Sequence, residues 1–141
     1  MKLRKARRDD LPRLEEWSRD FEQGAHGEPF IARTLGELER RPELGSVYIL
    51  ESEKGPVGYT ILLPWWSNEY RGEALLIDEL YVAPEHRGGT GGAAVEAIEK
   101  LARERGMKVL SLEVLPGATR VHSLYRRAGF ESGRTLYRKT L

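Results

Sequence analysis

The sequence predicts an α/β (α+β) fold: one domain over residues 1–141, with a mixed, mostly antiparallel central sheet of about six or seven strands and helices on both faces. Two observations support this prediction. Three consecutive apolar-rich runs separated by polar turns are typical of an antiparallel meander. A strand, a helix and a strand then follow over residues 74–115. This order implies local parallel pairing through a right-handed crossover.

Length, charge and composition exclude several classes of protein. The 141 residues are 40% hydrophobic and 32% charged, with a formal net charge of +1. This balance argues against nucleic acid as a partner held mainly by phosphate contacts. The absence of cysteine excludes disulfides, thiolate metal sites and a cysteine nucleophile. No apolar run approaches membrane-spanning length, and no secretory signal is evident, so we expect a cytoplasmic protein without a membrane partner.

The first third of the chain predicts one strand and two helices. The predicted elements are a strand over residues 2–7, a helix from about residue 10 to Phe21, a loop over 22–30 and a helix over Leu35–Arg41. Asp9 or Asp10 can cap the first helix. Thr34 would cap the second, because Glu37 stands three residues later in a capping-box spacing.

The remaining sequence alternates between apolar runs and helical patterns. Strands are predicted over residues 46–52, 57–66, 74–82, 108–115 and 134–140. One helix follows a glycine cluster and ends at Gly106, and another spans residues 119–128. Apolar residues at helical spacing define the buried face of each helix.

The glycine cluster separates the longest strand from the helix behind it. Arg87 is followed by five small residues, Gly88, Gly89, Thr90, Gly91 and Gly92. A helix N-terminus leaves N–H groups unpaired and carries partial positive charge, and glycines let the backbone approach a phosphate closely. Taken alone, the cluster is interpreted as a tight connection at least as readily as a phosphate cradle.

The segment from Leu80 to Phe130 resembles the core of the GNAT superfamily of acyl-CoA-dependent N-acetyltransferases. The shared pattern comprises a strand ending in Leu-x-Val-x-Pro, the Arg/Gln-x-x-Gly-x-Gly/Ala turn, a helix with Leu124-Tyr125 and a following Gly129-Phe130. The element order matches along the whole chain. The resemblance implies a GNAT-like fold and an acetyltransferase that uses acetyl-CoA as cosubstrate, with no metal.

The resemblance implies functional roles for several residues. The turn amides would hold the pyrophosphate of acetyl-CoA beside Arg87, and a backbone N–H near Tyr81 or Val82 would polarise the acetyl oxygen. The residues implied in acetyl-CoA binding are Leu80, Tyr81, Val82, Arg87, Gly88, Gly89, Thr90, Gly91 and Gly92. Two positions depart from the family pattern: Thr90 stands where glycine is usual, and Ala118 stands where many relatives have asparagine.

Asp78 and Glu79 interrupt the longest apolar strand. Strand alternation puts Asp78 on one face with Leu76, Leu80 and Val82, and Glu79 on the other with Leu75, Ile77 and Tyr81. Burial raises the pKa of a carboxyl, which suits a general base for an ammonium group. The resemblance makes Asp78 the first candidate and Glu79 the second. An ion pair for one of them, or a water chain as the base, is the alternative.

Tyr125 is the candidate general acid. Relatives often use a tyrosine at this position to protonate the departing thiolate of CoA. The alternative is an amphipathic tyrosine packed at a helix border. His26, His86 and His122 are too scattered for a metal triad.

The sequence features that indicate the acceptor-binding residues are less specific than those that indicate acetyl-CoA binding. An exposed member of the pair Trp65 and Trp66 could line an acceptor pocket or a homodimer interface, with plain packing as the alternative. Glu28 could favour a cation. Residues 64–82 resemble the matching hairpin of GNAT members that acetylate polyamines and lysine-like amines. This resemblance, together with the features above, implies a small-molecule amine, polyamine- or lysine-like, as the acceptor. The alternatives are a protein N-terminus or lysine, and a module that binds acyl-CoA without turnover.

Overall fold

Five strands form one sheet in the computed structural model, which describes residues 1–23 and 27–141. In sheet order they are β1 (Lys2–Lys5), β2 (Ser46–Ser52), β3 (Gly55–Ser67), β4 (Gly72–Val82) and β5 (Val109–Leu112). The strands from β1 to β4 pair antiparallel, whereas β4 and β5 pair parallel. The predicted mixed, mostly antiparallel sheet is therefore confirmed, with fewer strands than expected.

The described residues form four α-helices. They are α1 (Leu11–Glu22), α2 (Ile31–Arg40), α3 (Thr90–Glu104) and α4 (Thr119–Arg127). α2 begins four residues before its predicted start, so Thr34 lies inside the helix and does not cap it. Ile31 explains the earlier start, because it is buried and extends the inward stripe of Leu35 and Leu38 at helical spacing. Within the described ranges, no helix combines the length and the apolar character needed to cross a bilayer.

Helices lie on both faces of the sheet, as predicted. On one face, Leu14 and Trp17 of α1 join α2 in a core with Ile49 and Tyr59. On the other face, Ile98 of α3 packs with side chains from β2, β3 and β4. Because both faces are covered, the central strands read as nearly continuous apolar runs.

The strand predicted over residues 134–140 is not formed. Residues 131–141 are exposed and belong to no strand. Arg134 pairs with Glu69 of the β3–β4 turn, and Arg138 pairs with Glu113 just beyond β5. These ion pairs hold the segment near β5, but its side chains bury too little apolar surface to offset the entropy of ordering a strand.

Candidate active site

A β-bulge in β4 organises the candidate site. Ile61 of β3 pairs with Glu79 and Leu62 pairs with Ile77, so Asp78 between them has no partner on β3. The extra residue reverses the alternation of side chains. Ile77 consequently packs on the α3 face, whereas Tyr81 packs on the face of α1 and α2. The prediction that these two residues share a face is wrong for this reason.

Glu79 is held at two points by adjacent residues of β3. The hydroxyl of Tyr59 donates to Oε2 of Glu79 at 2.6 Å. The hydroxyl of Thr60 donates to the backbone carbonyl of Glu79 at 2.7 Å. Tyr59 and Thr60 are both fully buried, so the packing of β3 fixes both donors.

The two carboxyl groups at the bulge differ in their surroundings. Burial raises the pKa of Glu79, the hydrogen bond from Tyr59 lowers it, and the charges of Asp78 and Glu22 raise it, with a net increase. Asp78, taken over the whole residue, is exposed to solvent. Its pKa is also raised by partial burial of the carboxyl group, against a lowering by Arg138. Both groups are shifted in the direction that a general base for an amine requires.

Beyond the bulge, one edge of β4 is open. The pairing with β5 ends where Ile77 meets Leu112, and the described residues place no strand beside the rest of β4 on that side. The N–H of Ala83 donates to Val57 of β3, so in an antiparallel ladder the N–H of Tyr81 also points to β3. The N–H groups of Leu80 and Val82 therefore point to the open side. Of the two donors predicted for the acetyl oxygen, only that of Val82 faces the opening.

The glycine turn presents a row of backbone donors. Gly88 and Gly89 both have a φ of 111°, a conformation that L side chains rarely adopt. In the described residues, no acceptor is bonded to the N–H groups of the four consecutive residues 88–91. These donors precede and open α3, where the helix dipole adds partial positive charge. Their chemistry fits a phosphate or pyrophosphate group.

Thr90 fits this turn without backbone strain. It is the first residue of α3 and has a helical backbone, so the position does not require glycine. Its hydroxyl donates to the carbonyl of His86 and does not cap the helix. The departure from the family pattern therefore leaves the turn geometry intact, and the N–H of Thr90 remains one of the row of donors.

Arg87 is tethered beside the same turn. Its Nε donates to the carbonyl of Val82 at 3.1 Å, and its guanidinium lies 5.9 Å from the centroid of the Tyr81 ring. Its Nη2 is 3.9 Å from the carboxylate of Asp20, which accepts a 2.6 Å hydrogen bond from the hydroxyl of Tyr81. The side chain remains largely exposed, so its charge is available to an anion at the turn.

Tyr125 lies on the helix that packs against the turn. α4 approaches α3 through Leu124, whose methyl group meets Gly91. The ring of Tyr125 packs edge to face on Phe130 at 5.5 Å, and its hydroxyl makes no hydrogen bond to the described residues. Burial raises the pKa of Tyr125 above its ordinary value, so the hydroxyl stays protonated at neutral pH and can donate.

Ala118 precedes α4 and has no side-chain amide to offer. Its N–H donates to the carbonyl of Leu115, which also lies 3.2 Å from Nε2 of His122. These contacts order the chain between β5 and α4 through the backbone and one imidazole. His122, to which the sequence assigned no role, thus supports the turn that carries Ala118.

The residues predicted for the acceptor side are not brought together. Trp65 lies four residues along β3 from Ile61, the partner of Glu79, which is roughly 14 Å of strand. Trp66 is 71% exposed near the β3–β4 turn, where its role in a homodimer stays a prediction. Glu28 is almost fully exposed and lies 4.0 Å from Arg19, which is the environment of a solvated loop acid. His26 and part of the predicted loop lie outside the described residues.

A surface cleft of about 720 Å³ instead opens between α1 and the end of β4. Aromatic rings of Trp17 and Tyr81 line it, together with carboxylates of Glu16, Asp20 and Glu85 and the cation of Arg19. Aromatic and acidic groups together favour an organic cation. Among the described residues, no cluster of three or more potential metal ligands is present.

Sequence comparison assigns the family. A model of the acetyltransferase (GNAT) family matches residues 11–130. The chain belongs to this family. The resemblance seen in the turn and in α4 is therefore confirmed, and the protein is an acetyltransferase of the GNAT type. GNAT enzymes generally use acetyl-CoA and act on amines of small molecules or proteins.

Individual relatives support the same assignment. The uncharacterized N-acetyltransferase YhfO of Bacillus subtilis is 26% identical over 137 residues, covering 93% of this chain and 90% of the relative. The thialysine N-epsilon-acetyltransferase of Bos taurus is 32% identical over 79 residues, covering 54% of this chain and 46% of the relative. An integron cassette protein from the mobile metagenome of Cole Harbour salt marsh superposes with a TM-score of 0.80 at 32% identity, covering 99% of this GNAT chain and 90% of the other.

Tyr59, Thr60 and Asp20 were missed as site residues by the sequence. The available signal was weak: a tyrosine and a threonine side by side in an otherwise apolar stretch of β3. Their importance depends on the register with β4, and the bulge that sets this register leaves no mark in the hydrophobic pattern.

Proposed function

We propose that this GNAT enzyme transfers the acetyl group of acetyl-CoA directly to a primary amine, and that the acceptor is a small polyamine- or lysine-like amine. The observation that carries the proposal is the bulge in β4. It sets a carboxylate next to the open strand edge that leads to the donor-rich turn. An amine and a thioester bound on these two sides would meet at the bulge.

Acetyl-CoA supplies an activated thioester when it is bound. The amides of residues 88–91 would bind its pyrophosphate, with Arg87 as an added cation. The N–H groups of Leu80 and Val82 would bind the pantetheine arm and the acetyl oxygen along the open edge of β4. This division leaves the face of α1 and α2 for the acceptor.

Glu79 is the preferred proton acceptor, ahead of Asp78. It is partly buried, fixed by two hydroxyl groups, and lies on the face that carries the aromatic and acidic cleft. The amine nitrogen forms a bond to the acetyl carbon while the carbon–sulfur bond breaks. The proton lost by nitrogen goes to Glu79, directly or through water, and the sulfur takes a proton from Tyr125.

The acceptor class rests on charge and on one relative. Three carboxylates line the cleft, whereas two cations lie at it: Arg19 in its wall and Arg87 beside Asp20. The remaining negative charge favours a positively charged ligand. The bovine relative is named as an N-epsilon-acetyltransferase of thialysine, which is a lysine analogue with a primary amine on its side chain. Both observations favour a small aliphatic ammonium over a neutral or acidic acceptor.

The test is thiol release from acetyl-CoA with a panel of amines. The panel contains putrescine, spermidine, lysine, thialysine and peptides with a free N-terminus or an internal lysine. We expect turnover with the small cationic amines, and a loss of about 100-fold or more in Glu79→Gln. Glu73→Gln, an exposed acid on the same strand, is the matched control and should keep full activity.

Three other outcomes would change the proposal. If only the peptides are acetylated, the acceptor is a protein amine and not a small amine. A larger loss in Asp78→Asn than in Glu79→Gln would move the base to Asp78. The absence of both turnover and thermal stabilisation by CoA would refute the proposed function as a whole.

A further inference from the structure

We propose that Tyr59 is a positioning residue for acetyl transfer: its buried hydroxyl binds one oxygen of the Glu79 carboxylate and leaves the other oxygen to take the proton of the amine. The inference rests on the proposed function, with Glu79 as the base. It adds to the site a buried residue on β3 that acts through the Glu79 carboxylate.

Packing fixes the position of the Tyr59 hydroxyl. The side chain is 0% exposed, and its ring lies 5.8 Å from that of Tyr81 and 6.5 Å from that of Phe21. The hydroxyl donates to Oε2 of Glu79 at 2.6 Å, and the described residues offer no hydrogen-bond donor to Oε1. The carboxylate is therefore oriented by a rigid neighbour, with one oxygen still available.

Thr60 holds the backbone of Glu79 independently of the Tyr59 hydrogen bond. Its hydroxyl holds the backbone carbonyl of Glu79 at 2.7 Å, in the part of β4 where the bulge interrupts the regular pairing. Since Tyr59 and Thr60 are adjacent, the same short stretch of β3 fixes both the main chain and the carboxylate of Glu79. Removal of the Tyr59 hydroxyl alone thus frees the carboxylate without releasing the backbone.

The charges around Glu79 make the hydrogen bond important for its titration. Glu22 acts on it from α1, Asp78 is its neighbour on β4, and Arg138 of the C-terminal segment acts on Asp78. Within the described chain, Tyr59 is the one group that lowers the pKa of Glu79, whereas burial, Asp78 and Glu22 raise it. Burial and Glu79 raise the pKa of Tyr59 itself, so it remains a donor.

The direction of the effect follows from these contacts. A general base must be ionised, so kcat/KM rises with pH through the pKa of Glu79. Without the Tyr59 hydroxyl this pKa rises, and the acid limb of the profile moves to higher pH. The same amine serves for both proteins, so its own ionisation cancels in the comparison.

The experiment compares Tyr59→Phe with the parent in two measurements. The first follows the side-chain ¹³C shift of Glu79 with pH, with the signal assigned by its absence in Glu79→Gln. We expect the midpoint to move to higher pH in Tyr59→Phe. The second is the pH profile of kcat/KM, which should fall severalfold on the acid limb and converge with the parent in the alkaline range, with an unchanged KM for acetyl-CoA.

Tyr48→Phe is the matched control. Tyr48 is also a buried tyrosine whose hydroxyl has one side-chain partner, Arg105, but it lies in the core on the α3 face. Loss of its hydroxyl should leave both the Glu79 titration and the pH profile unchanged. A shift of equal size in Tyr48→Phe would show that the effect is a general loss of stability, and would overturn the inference.

The two measurements separate this inference from the proposed function. An unmoved Glu79 titration in Tyr59→Phe overturns the inference even when the enzyme is fully active. A loss of rate that is uniform over all pH values also overturns it, because a structural role alone would produce that result. If the titration moves but Glu79→Gln keeps full activity, Glu79 is not the base, and the proposed mechanism falls together with the role of Tyr59 in it.

Discussion

Leu124 of α4 lies against Gly91 of α3, with a methyl carbon 3.2 Å from the point that a Cβ on Gly91 would occupy. The contact joins the first turn of α3, which carries the backbone donors, to the helix that carries Tyr125. The close approach of α4 to α3 at this point therefore depends on a glycine that has an ordinary helical backbone. Gly91 acts through the space it leaves, whereas Gly88 and Gly89 act through their φ angles.

Gly91→Ala should reduce turnover while changing stability little. Alanine favours a helix by about 1 kcal/mol over glycine, but its Cβ must displace Leu124 by a few tenths of an ångström. That displacement moves Tyr125, so kcat should fall severalfold with nearly unchanged CoA affinity. Gly92→Ala is the control, because the N–H of Gly92 is already bonded to the carbonyl of Gly89 and an added Cβ meets nothing within 4 Å. Equal kcat values in the two variants would contradict the coupling of α4 to this turn.

Gly89→Ala should weaken CoA binding and destabilise the fold. The residue has a φ of 111°, so an alanine there costs about 1–3 kcal/mol or forces the turn into another conformation. Either response misaligns the N–H groups that follow. The measurement is thermal unfolding with and without CoA, and the stabilisation by CoA should be smaller than in Gly92→Ala. A variant that binds CoA like the parent would show that the φ of Gly89 does not shape the site.

Tyr125→Phe should remove the basic limb of the pH profile while CoA binding is retained. A general acid must be protonated, and burial raises the pKa of Tyr125 above the ordinary value of 10.0. In the parent, kcat should therefore be sustained through neutral pH and fall only in the strongly alkaline range. In the variant, kcat should be about 10- to 100-fold lower and should no longer decrease in the strongly alkaline range. A basic limb that persists in Tyr125→Phe would assign it to another group.

The element order and the glycine turn could be predicted because both are local. Apolar periodicity determines where strands and helices form, and a run such as residues 88–92 is visible without any tertiary contact. The start of α2 was placed too late because a capping-box spacing at Thr34 competes with the burial of Ile31, and tertiary packing decides between them.

The bulge at Asp78 could not be predicted, because the pattern of apolar and polar residues assumes unbroken alternation. After a single unpaired residue, every later side chain of the strand points to the opposite face from the one that regular alternation predicts. This is why Ile77 and Glu79 separate, and why Glu79 meets Tyr59 and Thr60 of the neighbouring strand. The two acids in an apolar strand indicated a functional site, but the choice between them depends on the pairing of β3 with β4.

The ionisation of Glu79 should destabilise the folded state. The change in the free energy of unfolding with pH measures this effect. Burial and neighbouring acids raise its pKa in the folded protein above the ordinary value of about 4.3 in an unfolded chain. The folded state then binds the proton more tightly than the unfolded state does. The stability that this proton contributes is fully present below the unfolded pKa and is lost as pH rises through the folded pKa.

Glu79→Gln should therefore be more stable than the parent at neutral and alkaline pH, with a difference that disappears as pH falls to about 4. Glutamine keeps an acceptor for the Tyr59 hydroxyl, so the hydrogen bond at this point survives the change. Urea unfolding across this pH range measures the free energy of both proteins, with Glu73→Gln as the exposed control. A parent that is more stable than Glu79→Gln at neutral pH would mean that the Tyr59 hydrogen bond outweighs burial, and that the pKa of Glu79 is lowered in the folded enzyme.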